Sequence, residues 1–380
     1  MALIVVSAGI VCSLIQCKVA SILPELSAQF GMDTSEGSLM LSIFTFMGIV
    51  FSIPAGQLIQ HLGAKRVMVS SAALMVAGSL LGSFATDAVV LIATRGIEGI
   101  ALVFITIAGA AFIRDSAPLE RMGAAIGIWS VWFASGSFLA GVISPTIYHV
   151  FGFQALWLIY AALAVVSALA IRFLVKAPNV VHAQLVVATE KPRYAELLTR
   201  DVVLFMLVFA VYNIMTISVV SYLPAVLQSK GYDDTSAGLI STIPVLMSIA
   251  SAPLLGVLSD RLGRVKPLMS LSMAVLACTC PLLFLLTGWE LWAVALVCGA
   301  FGAGGAGVVM LGLLAVLPRT ELVALALGVF STMLALGMTL GNFIVPLLLG
   351  PDLANLTLTA LVLFCIGVVG LVLSLLCRYR

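Results

Sequence analysis

Apolar residues run along this chain in long blocks, not in one-faced stripes, and polar residues gather in short clusters between the blocks. Cutting at those clusters leaves twelve windows: 3–23, 38–59, 67–85, 88–112, 122–145, 154–174, 202–226, 237–258, 267–287, 290–316, 322–348 and 354–376. Most come close to the roughly 20 residues that a helix needs to cross a hydrocarbon core of about 30 Å. Strands of a membrane barrel would instead alternate apolar and polar over about 10 residues. The pattern therefore predicts an all-α membrane protein with twelve transmembrane helices. One long polar stretch, 176–201, holds Pro178, Asn179, His182, Glu190, Lys191, Pro192, Arg193, Glu196 and Arg200. It reads as a cytoplasmic linker between two six-helix bundles, 1–175 and 202–380.

Composition excludes the alternatives. With 62% hydrophobic and 9% charged residues, the chain lacks the roughly one-quarter charged content with which a soluble domain wets its surface. The 18 Lys and Arg against 16 Asp and Glu, a net charge of +2, leave no basic excess for a nucleic acid. Sorted by position, the basic residues carry more information than their sum. With both termini inside, Lys65, Arg66, Arg114, Arg121, Arg172, Lys176, Lys191, Arg193, Arg200, Arg261, Arg264, Lys266, Arg319, Arg378 and Arg380 all fall on the cytoplasmic side. Lys230 alone is in an outer loop, and Lys18 and Arg95 lie within predicted helices. The expectation is a multi-pass protein of the inner (cytoplasmic) membrane with both termini cytoplasmic. The first apolar block has no basic n-region and no small-residue cleavage site, so it reads as a retained helix. It starts abruptly at Met1, which raises the expectation of a short native head upstream. The seven cysteines lie in or at the ends of helices, so no disulfides are expected, and Cys278-x-Cys280 has the wrong spacing for zinc.

The second half repeats the first at an offset of about 200 residues. Leu23-Pro24, Gly31 and Asp33 fall on Leu223-Pro224, Gly231 and Asp233; the segment from Gly56 to Arg66 falls on that from Gly256 to Lys266; and Gly127, Gly136 and Pro145 fall on Gly328, Gly337 and Pro346. The Gly-x-Leu-x-Asp-Arg-x-Gly-Arg run from Gly256 to Arg264, its degraded copy at Gly56, and the six-plus-six layout with a basic middle loop together resemble the major facilitator superfamily over the whole chain. Arg95-x-x-x-Gly99 resembles that family's intramembrane arginine motif. Gly127, Gly136, Gly141 and Pro145 resemble, loosely, its antiporter-associated glycine-proline motif. The resemblance implies a secondary transporter working by alternating access between two halves. It also implies an inner-side latch built from Gly56, Gly63, Arg66, Gly256, Asp260, Arg261, Gly263 and Arg264. Gln60 stands where the family usually has an aspartate, so Asp260 with Arg261 and Arg264 is expected to carry most of the latch.

Ionisable residues at bilayer depth are costly and point to function. Three qualify: Lys18 in helix one and Arg95 and Glu98 in helix four. Arg95 and Glu98 share a face at i, i+3 and can pair. In a purely structural reading they form an ion pair while Lys18 snorkels outward to the interface. Two cations against one anion nevertheless leave an excess charge that lipid cannot satisfy. The functional reading therefore has Lys18 and Arg95 hold an anionic substrate while Glu98 couples transport to protons. In the second half, Tyr212, Asn213, Thr216 and Asn342 are candidate substrate partners, about evenly balanced with a structural role. Trp129, Trp132 and Gln16 read more as packing, and His61 and His149 as solvated interfacial residues without a role. Gly302-x-Gly304-x-x-Gly307 matches a dinucleotide fingerprint by letters alone, since no strand precedes it, and close helix packing explains it better. No cofactor, metal or enzymatic activity is expected. The leading expectation is a monomeric transporter of a small organic anion coupled to protons, with a drug/proton antiporter as the alternative. A non-transporting receptor or scaffold is less favoured, because no loop is long enough to form a signalling domain.

Overall fold

The computed structural model describes residues 1–116, 122–176, 194–262, 264–317 and 322–378, which are helical with no strand among them. The first crossing comprises α1 (Ala2–Cys17), a 3-10 turn (Ala20–Ile22) and α2 (Leu23–Phe30). Then follow α3 (Thr34–Leu62), α4 (Ala64–Ser83), α5 (Ala88–Ser116) and α6 (Met122–Leu174). The second half has α7 (Arg200–Ser229), α8 (Asp234–Leu262), α9 (Lys266–Leu285), α10 (Gly288–Val297), a π-turn (Cys298–Ala303), α11 (Gly305–Ala315), α12 (Val323–Leu349) and α13 (Leu356–Leu376). Among the described residues, 11 helical segments are long and apolar enough to cross a membrane. One of them, within α6, is two crossings run together: Gly152 has φ 82° and ψ 177°, a backbone open essentially to glycine alone, and there the chain turns back. The count agrees with the twelve windows.

Two windows hide breaks. In the window 3–23, α1 stops at Cys17, a 3-10 turn intervenes, and α2 restarts with Pro24 in its first turn and runs on to Phe30. Proline fits there because the first turn of a helix has no intrahelical use for its N–H. The window 290–316 contains the π-turn. Its glycines do pack closely at Gly302, against Leu276, and at Gly304, against Ser251, while a side-chain carbon added at Gly307 would meet nothing within 4 Å.

The chain forms two compact units, Met1–Gln184 with Tyr232–Leu239, and Leu185–Gly231 with Ile240–Arg380. In the first, α1 packs on α6, α3 on α5, and α4 on both α5 and α6; in the second, α7 packs on α12 and α13, and α9 on α13. Large apolar side chains such as Val166, Phe173, Leu361 and Val369 remain exposed, as lipid-facing residues would be. The sequence repeat recurs as packing. A carbon added at Gly99 would strike the Phe44 backbone, and one at Gly299 the Pro244 backbone. Likewise Gly136 sits on Ile10 and Ser13, and Gly337 on Ala210 and Asn213. All the partners correspond at the same offset of about 200, so each half brings two helix pairs into backbone contact with the same small residues. Gly31 and Gly231 both have positive φ, and Asp33 and Asp233 cap the helices that follow.

Candidate functional site

The break in helix one explains the charges around it. The last carbonyls of a helix have no intrahelical donor, and at the end of α1 those of Ile15 and Gln16 point toward α5, the fourth membrane crossing. Arg95 on α5 supplies the missing donors: Nη1 donates to Ile15 O at 2.8 Å and Nη2 to Gln16 O at 2.8 Å. A cation at a helix C-terminus is also favoured by the macrodipole. Arg95 Nη1 additionally donates to Glu98 Oε2 at 2.6 Å, the i, i+3 pair expected from spacing. Lys18, the residue at which α1 ends, donates from Nζ to Glu98 Oε1 at 2.8 Å. All three side chains are fully buried.

Lys18 therefore does not snorkel to the interface. Its ammonium turns inward to Glu98 and lies 4.2 Å from the centre of the Trp157 ring, while Arg95 lies 4.2 Å from that of Phe44. Both contacts are cation–π arrangements in a desolvated setting. The space comes from α4, where Gly78 faces the Glu98 side chain, Gly82 faces the Trp157 indole, and Ser79 Oγ donates to Glu98 Oε1 at 2.5 Å. Gly78, Ser79, Gly82 and Trp157 were missed from sequence; the signal that could have found them is the small-residue i, i+4 spacing on α4. Two buried donors of this cluster, Arg95 Nε and Trp157 Nε1, have no acceptor among the described residues.

The second-half candidates lie in the other unit, where Tyr212, Asn213 and Thr216 donate to backbone carbonyls. Tyr212 donates its hydroxyl to Ala303 O at the end of the π-turn. Asn213 Nδ2 donates to Phe209 O at 2.8 Å, and Thr216 Oγ1 to Tyr212 O at 3.0 Å. Asn342 is buried, and its backbone carbonyl accepts from the Tyr222 hydroxyl at 2.5 Å. In the loop motifs, Gly63 joins α3 to α4 with φ 81°, Gly56 and Gly256 are half-buried within helices, and Arg66, Arg261 and Arg264 are exposed without an ion pair among the described residues. Gly263 and the Asp260 side chain lie outside the described residues. Trp129 packs over Gly109 and stands beside Trp132. His149, expected to be merely solvated, is half-exposed and pairs with Asp234.

Comparison with known proteins agrees with this architecture. The model of the Major Facilitator Superfamily matches residues 1–236 and 204–380. The MFS-type transporter ppzB of Metarhizium rileyi is 25% identical over 138 residues, covering 36% of this chain and 28% of that protein. The multidrug resistance protein MdtG of Serratia proteamaculans is 25% identical over 274 residues, covering 69% of this chain and 65% of its own length. The matched region thus spans about a quarter of the first relative and under two thirds of the second. Among solved structures, a bacterial homologue of the human lysosomal transporter Spinster, inward-facing and occupied, superposes with a TM-score of 0.74 over 99% of this chain and 94% of its own, at 13% identity.

Proposed function

The chain belongs to the Major Facilitator Superfamily, and on that premise we propose that it is a secondary active transporter that moves a small organic anion together with protons. The observation that carries this reading is the charge cluster: among the described residues Glu98 alone answers Lys18 and Arg95, and Arg95 Nε and Trp157 Nε1 beside it meet no acceptor. An anionic cargo supplies the missing negative charge and acceptor atoms. Charge conservation then links cargo to proton. When Glu98 takes up a proton, the cluster loses its only anion, and an anionic group on the cargo restores the balance between the two cations. Loading both together keeps the charge in a low-dielectric site constant, whereas loading either alone changes it by one unit. Alternating access would supply the opening that a fully buried cluster requires. Tyr212, Asn213, Thr216 and Asn342 are proposed to contribute to cargo binding from the second half, and Asp260 with Arg261 and Arg264 to carry the inner-side latch on the strength of the family resemblance. The protein is proposed to act as a monomer in the inner membrane, with both termini cytoplasmic.

The test uses Glu98→Gln in liposomes. Counterflow exchange of an organic anion should survive, while accumulation driven by a pH gradient should fail. Loss of both, in protein that remains monodisperse, would assign Glu98 a structural role and remove the coupling site. A drug/proton antiporter is the second reading, favoured by the similarity to a multidrug resistance protein over 69% of this chain.

A further inference from the structure

At the opposite end of helix one from Met1, three potential metal ligands meet. Glu25 comes from α2, His149 from the first arm of α6, and Asp234 from the first turn of α8, within the segment Tyr232–Leu239 that clusters with the first unit. One ligand atom from each lies within 4.8 Å of the other two. His149 Nε2 is already in contact with Asp234 Oδ2. We infer that Glu25, His149 and Asp234 form a binding site for a divalent transition-metal ion of the zinc class.

Two carboxylates surround one imidazole, so even a protonated histidine cannot neutralise them. Moreover, Glu25 Oε2 is buried and accepts no hydrogen bond. A buried carboxylate oxygen with no donor carries an unrecovered desolvation cost, and a metal ion removes that cost directly. The neighbouring hydroxyl does not do so: Tyr148 donates to Gln29 Oε1 at 2.9 Å. One imidazole nitrogen with two carboxylate oxygens suits zinc and its neighbours, whereas magnesium and calcium prefer all-oxygen sets. Bonds of about 2.0–2.2 Å place tetrahedral ligand atoms roughly 3.3–3.6 Å apart. Side-chain rotations reach that spacing by drawing Glu25 inward and opening the His149–Asp234 contact to admit the ion. The half-exposed His149 ring provides the entry path and leaves a fourth position for water.

This site is independent of the charge cluster, and so is its test. The full chain, freed of its purification tag and stripped with a chelator, is titrated with zinc against a chromophoric competitor, and thermal unfolding is followed in parallel. The expected result is one zinc ion bound per chain with a raised unfolding midpoint. His149→Gln and Glu25→Gln should each weaken binding by about tenfold or more. Glu25→Gln is the safer variant, because the buried oxygen it alters makes no hydrogen bond. Magnesium in large excess should not displace the zinc. The inference is overturned if the unaltered chain binds no zinc, if both variants bind it as the unaltered chain does, which would place the metal elsewhere on the chain, or if magnesium competes equally.

Discussion

Arg95 performs two tasks that are separable by mutation. It neutralises Glu98, and it caps the broken end of α1 through the carbonyls of Ile15 and Gln16. Lys18 performs only the first. Replacing either cation by methionine leaves one ion pair and a net charge of zero, so electrostatics alone predicts similar costs. The hydrogen bonds break the tie. Arg95→Met strands two buried carbonyls as well and should destabilise by about 3–5 kcal/mol, whereas Lys18→Met should cost clearly less. Unfolding midpoints in detergent check the order, and a milder Arg95→Met would remove the capping role. The three ionisable residues and the Arg95–Glu98 pair were legible in sequence from depth and spacing. The inward turn of Lys18 was not, because depth along a helix does not say which way a long side chain points. What decides it is Gly82, whose missing side chain lets Trp157 settle under the ammonium.

At the scale of elements, the internal repeat acts through helix caps and close contacts. Asp33 Oδ1 accepts from Ser35 Oγ and from the Glu36 N–H, and these bonds hold its carboxyl below the ordinary carboxylate range; Asp233 is lowered in the same way by Ser236. The sign follows from linkage: the unfolded chain takes up the proton at a higher pH than the folded one. The cap's contribution is therefore complete above an unfolded value of about 3.9 and is lost as pH falls through the lower folded value. Asp33→Ala should lower the unfolding midpoint at neutral pH and flatten its decline in acid, while Asp33→Asn should preserve most of the neutral value. Melting curves from neutral to acidic pH test both. These caps were legible because Gly31 and Asp33 recur at Gly231 and Asp233. The break in helix one and the π-turn in helix ten were not. Both keep the apolar run intact and alter only which carbonyl each N–H meets, a quantity to which hydropathy is blind.

For the whole molecule, the fold was legible in the sequence and the cargo was not. Twelve apolar windows and a repeat of about 200 residues determine a duplicated bundle, since few other arrangements bury so much apolar chain. Cargo depends on a handful of polar groups whose directions only packing decides. Lys18→Ala separates the two proposed readings of the intact protein. An anion symporter should lose substrate binding, measured on purified protein, while a drug antiporter should keep conferring resistance on cells. The capped break in helix one also bears on how the chain enters the bilayer during synthesis. A lone Lys or Arg at mid-membrane costs an inserting helix about 2.5–3.5 kcal/mol, and helix one must meet that cost before its counter-ion has been translated. Helix four arrives with Arg95 and Glu98 already one turn apart and able to shield one another. Lys18 then finds its carboxylate, and the exposed end of α1 its guanidinium, only after eighty more residues have left the ribosome. Helix one is thus a provisional guest in the membrane until helix four makes its residence permanent.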